Sequence, residues 1–416
     1  MKKHLHYYSD CSFFAGCENM LVNFFDDESL QQNFDLSFSY RYTPEYKKGL
    51  MARARPPQNC DGLLLLDYAY LAQKLKTLPR PISLVTLLFC QFIFLKYVFI
   101  LINTFKIKKH LKKMKIDLLH INNGGYPGSY SCYAAIIAAK MCKIPRIVYV
   151  VNNMAIGYQS PSRWPDFILD HFIVKKVDRF ITGSIYAGRK LKHILNISDN
   201  QHLAIHNGIK PRQVTQEKKD YLSSKNIPTS DRIIIGVVAL FEYRKGHQVL
   251  LEALNLFKNQ HPQLTAPLLL FEGNGPLEDQ LKKFVQEHQL QDDVIFIKNE
   301  KEIFNFMNAL DILALPSIER EDFPNVISEA MSLAKPILAT LIAGIPEQVE
   351  SGVNGLLVPP NDSQSLADAL VIITSDSKKM AIMGTKSKEK FEQNFLATKS
   401  VARYISLYKE LLNQEV

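Results

Sequence analysis

Between Arg232 and Val358 short apolar runs alternate with longer segments whose apolar residues recur every three or four positions, and this alternation is what most restricts the fold. The runs Arg232–Leu240, Pro267–Glu272, Asp293–Ile297, Ile312–Leu315 and Pro336–Ala339 read as strands. The segments Gly246–His261, Gly275–His288, Ile303–Asn308 and Asn325–Ala334 read as helices, with a short helix or turn at Ile345–Val349. A chain that enters a new strand after each helix builds an α/β fold, a parallel sheet covered by helices on both faces. The first half repeats the theme less clearly. Phe34–Tyr42, Asp117–Ile121, Arg146–Val151 and Arg179–Thr182 are strand-like, and a helix over Tyr130–Cys142 links the second to the third.

A chain of 416 residues exceeds what one ordinary core holds, so two domains of about 200 residues each are expected. The boundary falls between Asn207–Pro211 and the strand at Arg232, across the polar stretch Gln213–Ser230. We expect a first domain over 1–208, a second over 209–395, and a terminal helix over 396–416 packing back toward the first. The apolar spacing of Val401, Tyr404, Ile405, Tyr408, Leu411 and Leu412 requires a groove to bury in.

Charge is divided between the halves. Residues 1–210 hold 28 Lys+Arg against 14 Asp+Glu, leaving 22 against 27 in the remainder. A basic first half suits an anionic partner such as a bilayer surface, whereas the cations interleaved with aromatics of an RNA-binding sheet are not evident. The six cysteines, Cys11, Cys17, Cys60, Cys90, Cys132 and Cys142, show neither a C-x-x-C pair nor a histidine at zinc-site spacing, and read as reduced, unpaired thiols. Residues 1–8 carry basic residues without an apolar core, so no secretory signal is expected and a cytoplasmic location follows.

One apolar stretch, Ile82–Phe105, would be about 36 Å long as a helix. It carries Gln91 and Lys96 and is followed by the basic cluster Lys106–Lys115. A full span would put Phe34–Tyr42 and Asp117–Ile121 on opposite sides of a bilayer, although both are expected in one sheet. A helix or hairpin dipping into one leaflet, with 82–115 as the membrane-associating segment, fits better. A buried core helix remains the alternative.

Three turns in the second half leave strands and open helices, where doubly wound sheets bind ligands and where amides favour phosphate. In Glu242-Tyr243-Arg244-Lys245-Gly246-His247, Arg244 and Lys245 can neutralise a diphosphate; the plainer reading is a helix start with two solvated cations. In Phe271-Glu272-Gly273-Asn274-Gly275-Pro276 the glycines, Gly273 among them, permit close packing against a base or ribose. The plainer reading there is a turn with Pro276 at the first helical position. The third turn, Asp322-Phe323-Pro324-Asn325-Val326, stands between Glu321 and Glu329. It offers amides along a helix axis, with one carboxylate in the loop and another on the helix able to face a hydroxyl-rich ligand.

Together these segments resemble the donor domain of retaining glycosyltransferases of family 4, which have the GT-B fold of two Rossmann-like doubly wound domains facing a cleft. The matching residues are Arg244-Lys245-Gly246-His247, Phe271–Pro276, Leu315-Pro316-Ser317, Glu321 to Glu329, Gly344-Ile345-Pro346-Glu347 and Gly352–Val358. The resemblance implies that Lys245, with Arg244, contacts the donor diphosphate, that Glu321 and the following segment, Phe323, Pro324, Asn325 and Val326 with its amides, hold the donor sugar, and that Glu329 binds the ribose. It implies a nucleotide-sugar donor, UDP- or GDP-linked, with no cofactor and no metal. More loosely, Phe13–Glu18 resembles the family's glycine-rich first loop, placing Gly16 near donor and acceptor. Asp117–Gly125 resembles the strand that carries a histidine near the reacting carbon in several members.

Two positions depart from that pattern. Asn122 stands where many members have the histidine, and Leu240 where an arginine usually precedes the lysine by five residues. An amide can orient a hydroxyl but cannot act as a base; His120 reads as a structural strand-end residue rather than a catalyst.

The expectation is therefore a glycosyltransferase of cell-surface polysaccharide biosynthesis, with Glu321, Lys245 and Asn122 at its reaction centre. Its acceptor would be a glycan or lipid-linked glycan, and it would work peripherally on the inner face of the membrane without nucleic acid. The rivals are a nucleotide-sugar epimerase on the same fold, which needs acid/base carboxylates that cannot be placed, and a non-catalytic nucleotide-sugar-binding partner of other transferases.

Overall fold

The computed structural model describes residues 2–11, 13–14, 16–68, 70–71, 82, 84, 95–228 and 231–413. The chain divides into two compact units, Met1–Ile205 with Ser400–Val416, and His206–Lys399.

The first unit contains a seven-stranded parallel sheet of β1 (Lys3–Ser9), β2 (Phe34–Arg41), β3 (Cys60–Leu63), β4 (Leu118–Asn123), β5 (Arg146–Val151), β6 (Arg179–Thr182) and β7 (His202–Ala204). Their order is β3-β2-β1-β4-β5-β6-β7. Leu5 of β1 lies opposite Leu36 on one side and Leu118 on the other. The second unit carries six parallel strands, β8 (Ile234–Val238), β9 (Leu268–Glu272), β10 (Val294–Ile297), β11 (Ile312–Leu315), β12 (Ile337–Thr340) and β13 (Gly355–Val358), ordered β10-β9-β8-β11-β12-β13.

Both faces of each sheet are buried, which explains why the strands read as continuous apolar runs. Along β9, Leu268 and Leu270 join one core cluster while Leu269 and Phe271 join the other, as a side-chain period of two demands. In the first unit Leu119 and Ile121 share one cluster with Ile147 and Tyr149, and Leu118 shares the other with Val148 and Val150. Each such side chain contributes on the order of 2 kcal/mol by leaving water.

The expected elements appear within a few residues of their places, but four strands, β1, β3, β7 and β13, were not foreseen. Strand β1 is the informative one, because it lies inside its sheet, between β2 and β4, although polar His4 and His6 interrupt its apolar pattern. His6 is fully buried. Its two ring nitrogens each lie 2.7 Å from a serine hydroxyl of β2, Ser37 and Ser39, and burial holds its pKa well below the usual imidazole value. A neutral histidine with both nitrogens bonded can stand in a core.

Part of the expected membrane-associating segment, 83 and 85–94, lies outside the described residues. The described remainder forms one helix, Leu95–Leu111, that runs through the first part of the basic cluster instead of ending before it. Its buried face, Ile100, Ile107 and Leu111, joins the core with the helix Tyr130–Met141. Lys96 is buried and pairs at 2.8 Å with Asp166. The opposite side leaves Val98, Leu101 and Phe105 exposed. Among the described residues no helix is long and apolar enough to cross a membrane.

The last helix, Ala397–Leu411, packs Val401, Tyr404, Ile405, Leu407 and Tyr408 into the core beside β1 and β2. The Tyr404 ring meets Phe24 edge-on at 4.9 Å, and the Tyr408 hydroxyl bonds His120 Nδ1 at 2.7 Å.

Candidate functional site

In the second sheet the chain leaves β8 toward β9 on one side and returns after β10 to β11 on the other. The loops that follow β8 and β11 therefore diverge at the strands' carboxyl ends, where an α/β sheet offers a ligand crevice. Residues 239–246 and 316–324 form those loops, and Gly246 holds them together. It is left-handed, with φ +71°, and a Cβ there would lie 1.9 Å from the Pro316 carbonyl oxygen. The Ile318 amide donates to the Arg244 carbonyl at 2.8 Å.

This backbone contact brings Arg244 and Lys245 to Glu321. Lys245 Nζ pairs with Glu321 Oε1, Arg244 Nη1 lies 3.4 Å from the same oxygen, and Ser317 Oγ donates to it at 3.1 Å. Arg244 Nε also donates to Glu242 at 2.7 Å. Glu321 is buried, so its charge is tolerable only because cations and a hydroxyl surround it. All three donors converge on Oε1 and none reaches Oε2, which points to the second oxygen as an acceptor for a ligand hydroxyl.

The neighbouring turns fix this arrangement. Thr340 Oγ1 donates to the Ser317 carbonyl at 2.6 Å, and the Gly344 amide to the Asp322 carbonyl at 3.0 Å. Gly273, at φ +150°, lies so near the end of β8 that a Cβ would stand 2.1 Å from the Ala239 carbonyl oxygen. Phe323 is buried and stacks on His206 at 4.7 Å with an interplanar angle of 7°, while His206 pairs with Glu347 at 2.9 Å. Pro324 precedes the helix Asn325–Ser332, which no side chain caps, and its carbonyl accepts from Gln348 Nε2 at 3.1 Å. Val326 packs against the core. Glu329 is partly buried on that helix.

His247, beside Lys245, is 1 % exposed, and neither ring nitrogen has a hydrogen-bond partner. Its ring meets Phe241 and Phe271 edge-on at 5.0 and 5.2 Å. Burial, with the Lys245 charge adding to it, pushes its pKa down to about 3, so the ring is neutral. Leu240 is 49 % exposed and supplies no charge.

In the first unit the corresponding reversal lies between β1 and β4. Gly16 opens a 3₁₀ turn, Gly16–Glu18, near the end of β4. Asn122 is buried. Its Nδ2 lies 3.3 Å from the Cys17 carbonyl and 3.4 Å from Ser9 Oγ, and its Oδ1 accepts from Asn152 at 2.8 Å. The amide thus spans the first loop and two strand ends. His120 lies fully inside with its pKa pushed to about 3 by burial alone, as suits a structural residue.

The sequence reading missed a polar cluster at this sheet edge. Asp10 pairs with Arg41 and accepts from Ser129 and Ser131, and Arg41 also pairs with Asp67. Asp10, Asp67, Tyr68, Lys96 and Tyr130 line a cavity of about 230 Å³. The signal available was an aspartate immediately after an apolar run, visible only once β1 is recognised as a strand. The five described cysteines are free; Cys90 lies outside the described residues.

Comparison with known proteins agrees with this architecture. The family model described as glycosyl transferases group 1 matches residues 218–390, and that described as Glycosyltransferase Family 4 matches residues 73–213. The chain belongs to glycosyltransferase family 4. This family 4 glycosyltransferase is 33% identical over 176 residues to the putative colanic acid biosynthesis glycosyltransferase WcaL of Escherichia coli, covering 40% of this chain and 42% of that one. It is 25% identical over 313 residues to an uncharacterized glycosyltransferase of Methanocaldococcus jannaschii, covering 75% and 80%. The matched segments span about half the length of the first such relatives.

Among solved structures, a glycosyltransferase from Rickettsia africae superposes with a TM-score of 0.76 at 17% identity, covering 100% of both chains. Anabaena HepE in complex with UDP gives 0.74 at 18%, covering 99% and 100%. The family 4 chain thus has the GT-B fold, with two Rossmann-like parallel sheets.

Proposed function

We propose that this chain is a retaining glycosyltransferase that moves a sugar from a UDP- or GDP-linked donor to a hydroxyl of a glycan or lipid-linked glycan in cell-surface polysaccharide assembly. The observation that carries this reading is the convergence of Lys245, Arg244 and Ser317 on one oxygen of buried Glu321 at the β8/β11 switch. A diphosphate entering there competes for the two cations, and a sugar hydroxyl finds Glu321 Oε2. Lys245 and Arg244 meet the negative charge that grows on the leaving diphosphate, so the donor set itself calls for no metal. The relatives support the direction: HepE has been seen with UDP and with UDP-glucose, and others carry the names of colanic acid and amylovoran biosynthesis.

In the proposed step the bond from the anomeric carbon to the phosphate oxygen breaks and a bond to the acceptor oxygen forms on the same face. The acceptor proton passes to an oxygen of the leaving diphosphate. Asn122 is not asked to take it and serves to hold the first loop. Peripheral attachment to the inner face of the membrane belongs to the same proposal. It is supported by exposed Val98, Leu101 and Phe105 on a helix whose last turn carries Lys108 and Lys109, a combination suited to anionic headgroups.

A second reading, a non-catalytic nucleotide-sugar binder, draws on exposed Leu240 where the family resemblance implies an arginine. A panel of UDP- and GDP-sugars decides between them, with nucleoside diphosphate release and calorimetric binding measured with and without lipid extract. Release with one donor supports transfer. Binding without release under every condition favours the second reading, and no binding at all removes both.

A further inference from the structure

We infer that Cys11, Cys17 and Glu18 form a site for one thiophilic divalent cation of the zinc class, independent of the donor chemistry. Their ligating atoms all lie within 4.8 Å of one another. Cys11 Sγ and Cys17 Sγ are 3.4 Å apart, and Cys17 Sγ is 2.6 Å from Glu18 Oε2. Zinc bound at about 2.3 Å by sulfur and about 2.0 Å by a carboxylate oxygen would set these pairs roughly 3.5–3.8 Å apart in a tetrahedron. Seating the ion therefore asks the two thiols to part by a few tenths of an ångström and the Glu18 carboxylate to swing back by about 1 Å.

The surroundings resemble a prepared site. Glu18 is 0 % exposed, and Ser9 Oγ donates to its other oxygen at 3.0 Å, as outer partners orient metal ligands. Two thiols and a carboxylate so close gather negative charge when ionised, which a divalent cation neutralises. The cation would clip the ends of the first loop together, tying Cys11 to the turn that begins at Gly16. The same turn is bonded to β4 through the Cys17 carbonyl and Asn122 Nδ2. Binding forms two metal–thiolate bonds, and the two thiol protons pass to solvent.

The test uses the full chain, reduced, stripped with a chelator and titrated anaerobically with cobalt(II). We expect a saturable thiolate-to-cobalt charge-transfer band with one ion per chain, release of about two protons per ion, and displacement by zinc. Cys11→Ser and Cys17→Ser should each weaken binding at least tenfold, and Glu18→Gln by about tenfold. Should those variants fail to fold, alkylation of the wild-type chain still decides. Zinc should protect Cys11 and Cys17 while Cys60 and Cys142 react as before. Absence of the band, its persistence in Cys17→Ser, or a Cys11–Cys17 disulfide forming in air with no metal uptake after reduction would each overturn the site.

Discussion

Lys245 and Glu321, 76 residues apart in sequence, form an ion pair across the two loops that leave β8 and β11. The pair couples the residue proposed to meet the diphosphate to the one proposed to meet the sugar. Lys245→Ala removes the positive charge that, in the proposed step, meets negative charge growing on the leaving diphosphate, and it leaves a buried carboxylate short of a partner. We expect kcat to fall by roughly 10²–10³. Glu321→Ala should do the same, and the double variant should cost less than the sum of the two, since each single change already disrupts the shared contact. Steady-state kinetics at saturating donor check this; wild-type turnover in Lys245→Ala would remove the diphosphate assignment.

Gly246→Ala tests the backbone contact that makes the pair possible. The new Cβ would stand 1.9 Å from the Pro316 oxygen in a left-handed residue, so either the loop shifts or the residue leaves its conformation. The expected loss exceeds about 1 kcal/mol of stability, with donor affinity falling alongside it. Urea denaturation and calorimetry measure the two effects, and an unchanged denaturation midpoint would mean that the loops give more easily than their contact implies.

The second half was legible because its strands are buried on both faces and its turns carry the glycines that close backbone contacts demand. Ile312–Leu315 falls where the sequence placed it. What could not be read was any element whose polar residues are satisfied at a distance. His6 belongs in a strand because Ser37 and Ser39, more than thirty positions away, accept or donate to its ring, and one-dimensional spacing contains no trace of that. Asp10 was hidden by the same omission. Cys11 and Cys17 matched no metal-site spacing, yet a turn brings their sulfurs together. The pairing of Lys245 with Glu321 was invisible for the converse reason: each residue stood out alone, and only the β8/β11 switch shows that they touch.

Buried neutral histidines make this chain sensitive to acid. The folded pKa of His247 is about 3, below the value of about 6.5 expected when unfolded. The unfolded state therefore binds the extra proton, and stability present above pH ~6.5 is lost as pH falls toward about 3. Its slope is at most about 1.4 kcal/mol per pH unit for one such group. His247→Leu removes two unpartnered buried nitrogens and should be neutral or stabilising at pH 7 while flattening the acid limb. Denaturation midpoints from pH 7 to 4 check it, and an acid limb as steep as the wild type would assign the sensitivity elsewhere.

Tyr408 closes the first unit's core by reaching His120 from the last helix. Tyr408→Phe keeps the ring and deletes the bond, leaving both nitrogens of His120 without a partner, since Nε2 already lacks one. A loss of about 1–3 kcal/mol follows. Tyr408→Ala should cost about 3–5 kcal/mol by opening a cavity as well. Chemical denaturation followed by a probe in the first unit gives both numbers, and equal losses would mean that the hydroxyl, rather than the ring, carries the contribution.

Asn122 separates a positioning role from a chemical one. Its amide joins Ser9, the Cys17 carbonyl and Asn152, and in the proposed same-face transfer the acceptor's proton goes to the leaving diphosphate, so that step requires no base at this position. Asn122→Ala leaves buried polar groups unpaired and should cost about 1–3 kcal/mol of stability. Transfer should remain measurable, its rate falling far less than in Lys245→Ala. If the first loop is what suffers, acceptor KM rises more than kcat falls, and Asn122→Asp, which can still accept from Asn152, recovers part of the stability. A kcat as low as that of Lys245→Ala with donor binding intact would instead place the amide at the reacting atoms and sink the positioning role argued for it.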